Sequence, residues 1–270
     1  MPKLNALVAG STGYIGVQLI KLLIKHKYIN IRYLCGNSSV GKNISSYDKS
    51  LSGKKLPKII KFNKKLLKDI GKYQIISCPG CYPTSILLPL IPLFKKNLVK
   101  VNNIIMDSKS GYSGAGRGVH KKYKDKNLYE SLSAYGVGFH RHNSEINQML
   151  KKFTKKKLSF NFTPHLTPMF RGILSTIYID LEKGITQSKI IKTLKDFYKN
   201  DEFVKILKAN SLLSTNDVIN TNNCFISVCK SKYKNKIIII SAIDNLIKGG
   251  AGQAVQNLNI KFNFPIKTAL

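Results

Sequence analysis

Short apolar runs, separated by glycine turns and lysine-rich polar stretches, divide this chain into elements. Lys3–Ala9 has a buried-strand pattern, and Val17–Leu23 follows with apolar residues at helical spacing. Ile29–Leu34 reads as a second strand. Residues 43–72 are polar and lysine-rich and predict a connection with at most one short helix. Tyr73-Gln74-Ile75-Ile76 predicts a short strand. Ile86–Phe94 is apolar but holds Pro89 and Pro92, so a short or kinked helix is expected there. Ile104-Ile105-Met106 predicts a strand that yields to a loop over Asp107–Arg117. A helix is expected from about Glu145, capped by Ser144 or Asn143. Phe160–Leu166, Gly172–Ile179, Phe225–Cys229 and Ile237–Ala242 read as strands, and Asp244–Asn257 as a loop that opens a final helix. The chain shows no internal repeat.

The first strand and helix enclose Gly10-Ser11-Thr12-Gly13-Tyr14-Ile15-Gly16. Strand, glycine turn and helix are the context of a dinucleotide fingerprint: Gly10 allows the turn, Gly13 lets backbone approach a pyrophosphate, and Gly16 allows close helix–strand packing. The spacing is G-x-x-G-x-x-G rather than G-x-G-x-x-G, so an ordinary strand–helix turn is the alternative. The second strand ends in Gly36-Asn37-Ser38-Ser39-Val40-Gly41-Lys42, where an acidic residue would select NAD. None is present. Small hydroxyls such as Ser38, together with Lys42, suit a 2′-phosphate and point to NADP.

Residues 77–85 read Ser-Cys-Pro-Gly-Cys-Tyr-Pro-Thr-Ser. Pro83 suits the first turn of a helix, which puts Cys81 where a strand hands over to a helix N-terminus. The N–H groups there favour an anion, so the thiolate is expected to be easier to reach. They also suit an oxyanion formed when the sulfur attacks a carbonyl carbon. A buried structural cysteine beside a turn is the alternative.

Composition narrows the classes. At 270 residues with 43% hydrophobic content, the chain suits a globular protein of one or two domains. No apolar run approaches the roughly 20 residues that span a bilayer. Met1-Pro2-Lys3-Leu4 leads straight into a strand pattern, which predicts no signal peptide and a cytoplasmic protein. The five cysteines lack framework spacing, and the C-x-x-C of Cys78 and Cys81 has no second pair at zinc spacing; neither a disulfide scaffold nor a metal site is expected. The formal charge of +32 suggests polyanions, but the lysines are scattered and accompany an excess of Ile and Asn, as a coding bias would produce. No aromatic-basic platform or helix-turn-helix pattern is present, so nonspecific binding at low salt is the expectation and specific nucleic-acid recognition is not.

Two later segments carry polar chemistry. Asp107–Arg117 is rich in glycine and serine, includes Ser110, and ends in a cation suited to an anionic ligand. In Ala134–Ile146, His140, Arg141, His142 and Glu145 fall within six residues of a chain with five histidines. With Gly10–Gly16, Pro79–Thr84, Phe162–Tyr178 and Ile243–Asn257, these segments occur in the order of a known family and span nearly the whole chain. The chain resembles N-acetyl-γ-glutamyl-phosphate reductase, the NADPH-dependent enzyme of arginine biosynthesis related to aspartate-semialdehyde dehydrogenase.

The resemblance implies an α/β protein: an abbreviated Rossmann-like NADP-binding domain over residues 1–80, an α+β substrate and dimerisation domain over 81–242, and a C-terminal loop and helix (243–270) returning to the first. It implies that Cys81 attacks the acyl phosphate of N-acetyl-glutamyl phosphate and forms a thioester. His140, with His142 as the second choice, would be the acid/base, and Glu145 would orient the imidazole or meet the substrate. Ser110, Arg117 and Arg171 would bind substrate, and Asn245, Gly250 and Gln253 would lie near the nicotinamide. A homo-oligomer is expected, with no membrane partner.

The departures are also specific. The family's stretch between the adenosine loop and the nucleophile is much longer, and about half of the dinucleotide domain is missing around residues 57–72. Cys78 replaces an Asn, and Phe170 stands where a polar residue is common. The rival readings are an aspartate-semialdehyde dehydrogenase-like enzyme, a noncatalytic descendant of the family, and a Cys78–Cys81 redox couple superimposed on the enzyme.

Overall fold

A computed structural model describes residues 3–37, 39–63, 76–117 and 129–270. In chain order the elements are β1 (Leu4–Ala9), α1 (Tyr14–Ile24), β2 (Ile29–Cys35), β3 (Ile59–Ile60), α2 (Cys81–Lys95), β4 (Ile104–Gly111) and β5 (Ser133–Ala134). They continue with α3 (His142–Lys151), β6 (Phe160–Thr167), β7 (Ile173–Asp180), α4 (Gln187–Phe197), β8 (Val204–Ile206), β9 (Cys224–Lys230), β10 (Lys236–Ile243) and α5 (Gly252–Lys261). Two compact units result, one of Met1–Cys78 with Gly250–Leu270 and one of Pro79–Gly249. Residues 243–249, expected with the C-terminal segment, stay with the larger unit.

In the smaller unit β1, β2 and β3 form a parallel three-stranded sheet among the described residues. The buried face of α1 (Val17, Ile20, Leu23) packs with Val8, Leu34 and Ile59, and Ala251, the N-cap of α5, and Val255 within it join the same core. Asn259 ties the tail down: its Oδ1 lies 2.8 Å from His26 Nε2, and its Nδ2 donates to the carbonyls of Ile266 and Thr268. The strand expected at Tyr73–Ile76 lies outside the described residues except for Ile76, which is not in a strand. Two 3-10 turns and β3 occupy the stretch expected to hold at most one short helix. A two-residue strand gives no alternation to read.

The larger unit is a seven-stranded mixed sheet in the order β5-β6-β4-β7-β10-β9-β8. Strands β4, β7, β10 and β9 run antiparallel to their neighbours in this series, while β6 pairs parallel to β4 and β8 parallel to β9. One face is covered: α2 packs on β7 and β10, α4 on β8 and β9, and α3 beside α2. Ile104, Met106, Ile177, Ile226 and Ile239 are buried there with Ile86, Leu90 and Leu93 of α2. The residues that alternate with them point to the other face, where Ile105 and Tyr178 are exposed.

α2 corrects an expectation, because it runs unbroken for 15 residues through Pro89 and Pro92. Pro92 has no N–H for the carbonyl of Leu88, four residues earlier, and the Tyr198 hydroxyl donates to that carbonyl at 2.7 Å. Burial across the sheet supports the rest of the helix. β4 is also longer than expected and carries Ser110 on a strand rather than in a loop. α3 begins at His142, not near Glu145, and neither Ser144 nor Asn143 caps it; Asn143 donates instead to the carbonyl of Gly138.

Candidate active site

Cys81 is the first residue of α2, and Gly80 in extended conformation is its N-cap. The Gly80 carbonyl accepts from both the N–H and the hydroxyl of Thr84, at 2.9 and 2.8 Å, closing the first turn. The Gly80 N–H donates to Glu145 Oε1 at 2.9 Å. Glu145 thus holds the turn before Cys81, a task that the expectation of an imidazole or substrate contact did not include. The backbone N–H groups of Cys81 and Tyr82 bond the sulfur, yet burial outweighs them and pushes the Cys81 thiol up to about 11. The helix N-terminus was expected to make the thiolate easy to reach. It does not do so alone, because Cys81 packs against the hydrophobic core. A proton acceptor is required.

Two glycines frame this cysteine. A Cβ on Gly80 would lie 2.4 Å from His142 Nε2, so the imidazole rests directly on the turn. A Cβ on Gly249 would lie 2.7 Å from the Cys81 Cβ. His142 is buried, and burial first, then the neighbouring His140 and Arg141, lowers it to about 4, so the ring is neutral at physiological pH. Its Nδ1 is buried without a hydrogen-bond partner. His140 sits differently. Its Nδ1 accepts the His142 N–H at 3.2 Å, and its ring lies edge-on to Tyr82, Tyr135, Phe162 and His142. That arrangement makes His140 a brace for the start of α3.

The other expected substrate residues separate. Ser110 is buried at the end of β4, its hydroxyl donating to the Gly111 carbonyl and bonding the Tyr82 hydroxyl, which burial raises far above its usual value. Arg171 Nη1 donates to Asp244 Oδ2 at 3.0 Å and to Asn220 Oδ1 at 2.7 Å. Arg117 is exposed, next to residues outside the description. Asn245 accepts the Gly172 N–H at 2.7 Å and donates to the Ser113 hydroxyl at 3.0 Å, so its amide joins two loops of the larger unit.

The remaining cofactor candidates belong to the smaller unit. Gly10 has φ +65, which favours glycine, and a Cβ on Gly16 would lie 2.2 Å from the Gly10 carbonyl oxygen, so backbone contact excludes a side chain there. Gly13 caps α1 with no side-chain hydrogen bond, and no acidic residue stands in the first turn. That is a cradle fit for a pyrophosphate on a helix N-terminus. Thr12 and Tyr14 are half-buried, Ile15 is exposed, and Gly250 and Gln253 are half-buried around the start of α5. Ser11 is buried and donates to the Cys35 carbonyl, so its hydroxyl locks the turn. Lys42 is exposed, Ser39 bonds the Tyr47 hydroxyl, and Ser38 lies outside the described residues. The pyrophosphate end of a dinucleotide therefore fits this chain. Among the described residues no group of three or more metal-ligating side chains occurs.

Three functional features escaped the sequence: Gly249, Asp244 and the Tyr82–Tyr135 hydroxyl pair at 3.1 Å. Gly249-Gly250 was a visible signal, though only a structure assigns one glycine to the cysteine and the other to the next turn.

Residues 5–82 match the family described as "Semialdehyde dehydrogenase, NAD binding domain", and residues 81–245 match "Semialdehyde dehydrogenase, dimerisation domain". The chain is 34% identical over 338 aligned positions to the N-acetyl-gamma-glutamyl-phosphate reductase of Ehrlichia canis (strain Jake), covering 99% of this chain and 97% of that protein. The chain belongs to this reductase family. The corresponding reductase of Clostridium botulinum (strain Alaska E43 / Type E3) is 37% identical, with 95% of each chain covered. A probable chloroplastic reductase of Arabidopsis thaliana is 47% identical over 76% of this chain and 51% of that protein. The Ehrlichia alignment needs 338 positions for a chain of 270 residues, so at least 68 (338 less 270) face gaps here, as an abbreviated member of the family requires.

Among solved structures, aspartate semialdehyde dehydrogenase II of Vibrio cholerae, complexed with ASA, aligns with TM-score 0.67 at 15% identity over 98% of this chain and all of that one. A probable aspartate-semialdehyde dehydrogenase of Pseudomonas aeruginosa gives 0.69 at 14% over the same shares. At such identities the likeness establishes the fold. No helix of the described residues is long and apolar enough to cross a membrane.

Proposed function

We propose that this reductase converts N-acetyl-L-glutamyl 5-phosphate to N-acetyl-L-glutamate 5-semialdehyde and phosphate, as an oxidoreductase of arginine biosynthesis, through a thioester on Cys81. The observation that carries the mechanism is the seat of Cys81, at the head of α2 with the His142 ring against the preceding Gly80. His142, rather than His140, takes the thiol proton as the sulfur attacks the acyl carbon. A neutral ring at physiological pH and an Nε2 on the nucleophile's own turn support that choice. The C–O bond to phosphate then breaks, and the acyl group remains on sulfur. N–H groups at the head of α2 stabilise the oxyanion. Bound NADPH supplies the hydride. As the C–S bond breaks, the sulfur leaves as thiolate and takes back the proton held by His142, restoring the thiol and releasing the aldehyde. Sulfur suits both steps because it attacks readily and leaves readily.

Gly10, Gly13 and the N-terminus of α1 would hold the pyrophosphate. The absence of an acidic residue after β2, with Lys42 exposed nearby, supports NADP over NAD. Arg171, held by Asp244 and Asn220, would receive an anionic group of the substrate, with Arg117 as a second cation. For the expected homo-oligomer, the face of the sheet that no helix covers among the described residues, with exposed Ile105 and Tyr178, supports docking of a second copy.

The reaction is tested in reverse, by phosphate-dependent reduction of NADP with N-acetyl-glutamate semialdehyde or with aspartate semialdehyde. Activity with the first substrate that Cys81→Ser removes is expected. Preference for the second would favour the aspartate enzyme, and inactivity with both, in folded protein that fails to bind NADPH, would favour a noncatalytic descendant.

A further inference from the structure

Asp244 is fully buried and has no part in the bond-making steps above. Its carboxylate nevertheless gathers four donors. Oδ1 accepts the N–H groups of Leu246 and Ile247 at 2.8 and 3.1 Å. Oδ2 accepts the Asn220 N–H at 2.8 Å and Arg171 Nη1 at 3.0 Å. Its backbone carbonyl accepts the Gly249 N–H at 2.9 Å. A buried charge persists only with such compensation, and removing one partner leaves the others unsatisfied.

These bonds close a circuit around the nucleophile. From Cys81 the chain passes to Tyr82, whose hydroxyl meets Ser110. Ser110 adjoins Gly111, where a Cβ would lie 2.6 Å from the Arg171 backbone nitrogen. The Arg171 guanidinium reaches Asp244, the Asp244 carbonyl fixes Gly249, and Gly249 presses on Cys81. Lys248, buried and with its Nζ 5.2 Å over the Phe203 ring, anchors the same turn from within.

We propose that Asp244 is a positioning residue that couples the substrate-binding guanidinium of Arg171 to the 244–249 turn, and so sets the enclosure of Cys81. The inference rests on the reading that Arg171 meets the anionic substrate. Two consequences follow from one bond set: Asp244 holds a cation in place, and it holds the glycine packed against the Cys81 Cβ. Loosening the turn makes the sulfur more accessible while the substrate is held less well.

The test measures site-resolved iodoacetamide labelling of Cys81 and steady-state kinetics in Asp244→Asn and Arg171→Lys. Labelling needs neither substrate nor NADPH, and the fully buried Cys224 reports unfolding in the same sample. For Asp244→Asn the expected result is at least about fivefold faster Cys81 labelling at pH 8 and at least about tenfold higher KM for the acyl phosphate, with Cys224 unlabelled. If that variant does not fold, Arg171→Lys, which keeps the charge but loses the planar fork, is expected to shift both quantities in the same directions by smaller factors. Labelling within twofold of wild type in the folded variants overturns the coupling, whatever KM does. Inactivity of the wild type instead overturns the underlying reading.

Discussion

Among the described residues, the larger unit sets a seven-stranded sheet against three helices, while the smaller one rests on three strands, two helices and a pinned tail. In the larger unit Cys81, the proposed nucleophile, is held by several devices: a helix turn, a carboxylate on the Gly80 N–H, an imidazole against Gly80, and Gly249 against its own Cβ. The proposed cofactor cradle depends on one turn, closed where Gly16 meets the Gly10 carbonyl. The Ehrlichia alignment leaves at least 68 positions gapped in this chain, yet the cysteine's seat is complete. Thiol chemistry needs atoms fixed to a few tenths of an ångström, whereas a pyrophosphate needs a helix end and an absent side chain. The second requirement survives trimming more readily.

This contrast is open to disruption at four points. Cys81→Ser should lower turnover by at least about three orders of magnitude while NADPH binding, followed by nicotinamide fluorescence, stays unchanged. Residual activity near wild type would remove the nucleophile from the account.

His142 gives the next largest effect. Its folded value, about 4, lies below the usual 6.5, so the unfolded chain binds the proton more readily. Its contribution is complete above pH 6.5 and is lost as pH falls toward 4. Wild-type stability should therefore drop about 3 kcal/mol more than that of His142→Gln between pH 7 and pH 4 in urea titrations. Parallel curves for the two proteins would mean that the ring is not buried as a neutral group.

Gly80→Ala would drive a methyl into His142 Nε2, 2.4 Å away, and should cost about 100-fold in kcat with little change in NADPH affinity. Gly16→Ala is its counterpart in the smaller unit. It should raise the NADPH Kd at least about tenfold while Cys81 labelling by iodoacetamide stays within twofold. Should Gly16→Ala change Cys81 labelling by more than twofold, the two units would not be separable in the way described.

Much of this was legible along the chain. The apolar runs of β6, β7, β9 and β10 predicted those strands, and the glycine turn was placed correctly between β1 and α1. α4 was missed although Thr186 caps it, accepting the Lys189 N–H, with Ile190 and Leu194 buried at helical spacing. The alternating lysines obscured that stripe. α2 was misread because the Tyr198 hydroxyl, 110 residues away, satisfies the carbonyl that Pro92 orphans. The histidines illustrate the same limit within the site. His140 and His142 are equivalent as letters, and the Gly80 contact, with the burial of His142, separates them. The Cys81 thiol is higher than the helix N-terminus suggested because core packing around it, built from distant strands, outweighs two local N–H groups.

The most direct test is to give the enzyme NADP and N-acetyl-glutamate semialdehyde without phosphate, and to weigh the intact protein and its Cys81 peptide. The acyl group should accumulate as a thioester on Cys81, one equivalent of NADPH should form, and added phosphate should clear the adduct and restart turnover. Phosphate-dependent turnover with no adduct on Cys81, or an adduct that persists in Cys81→Ser, would contradict the account.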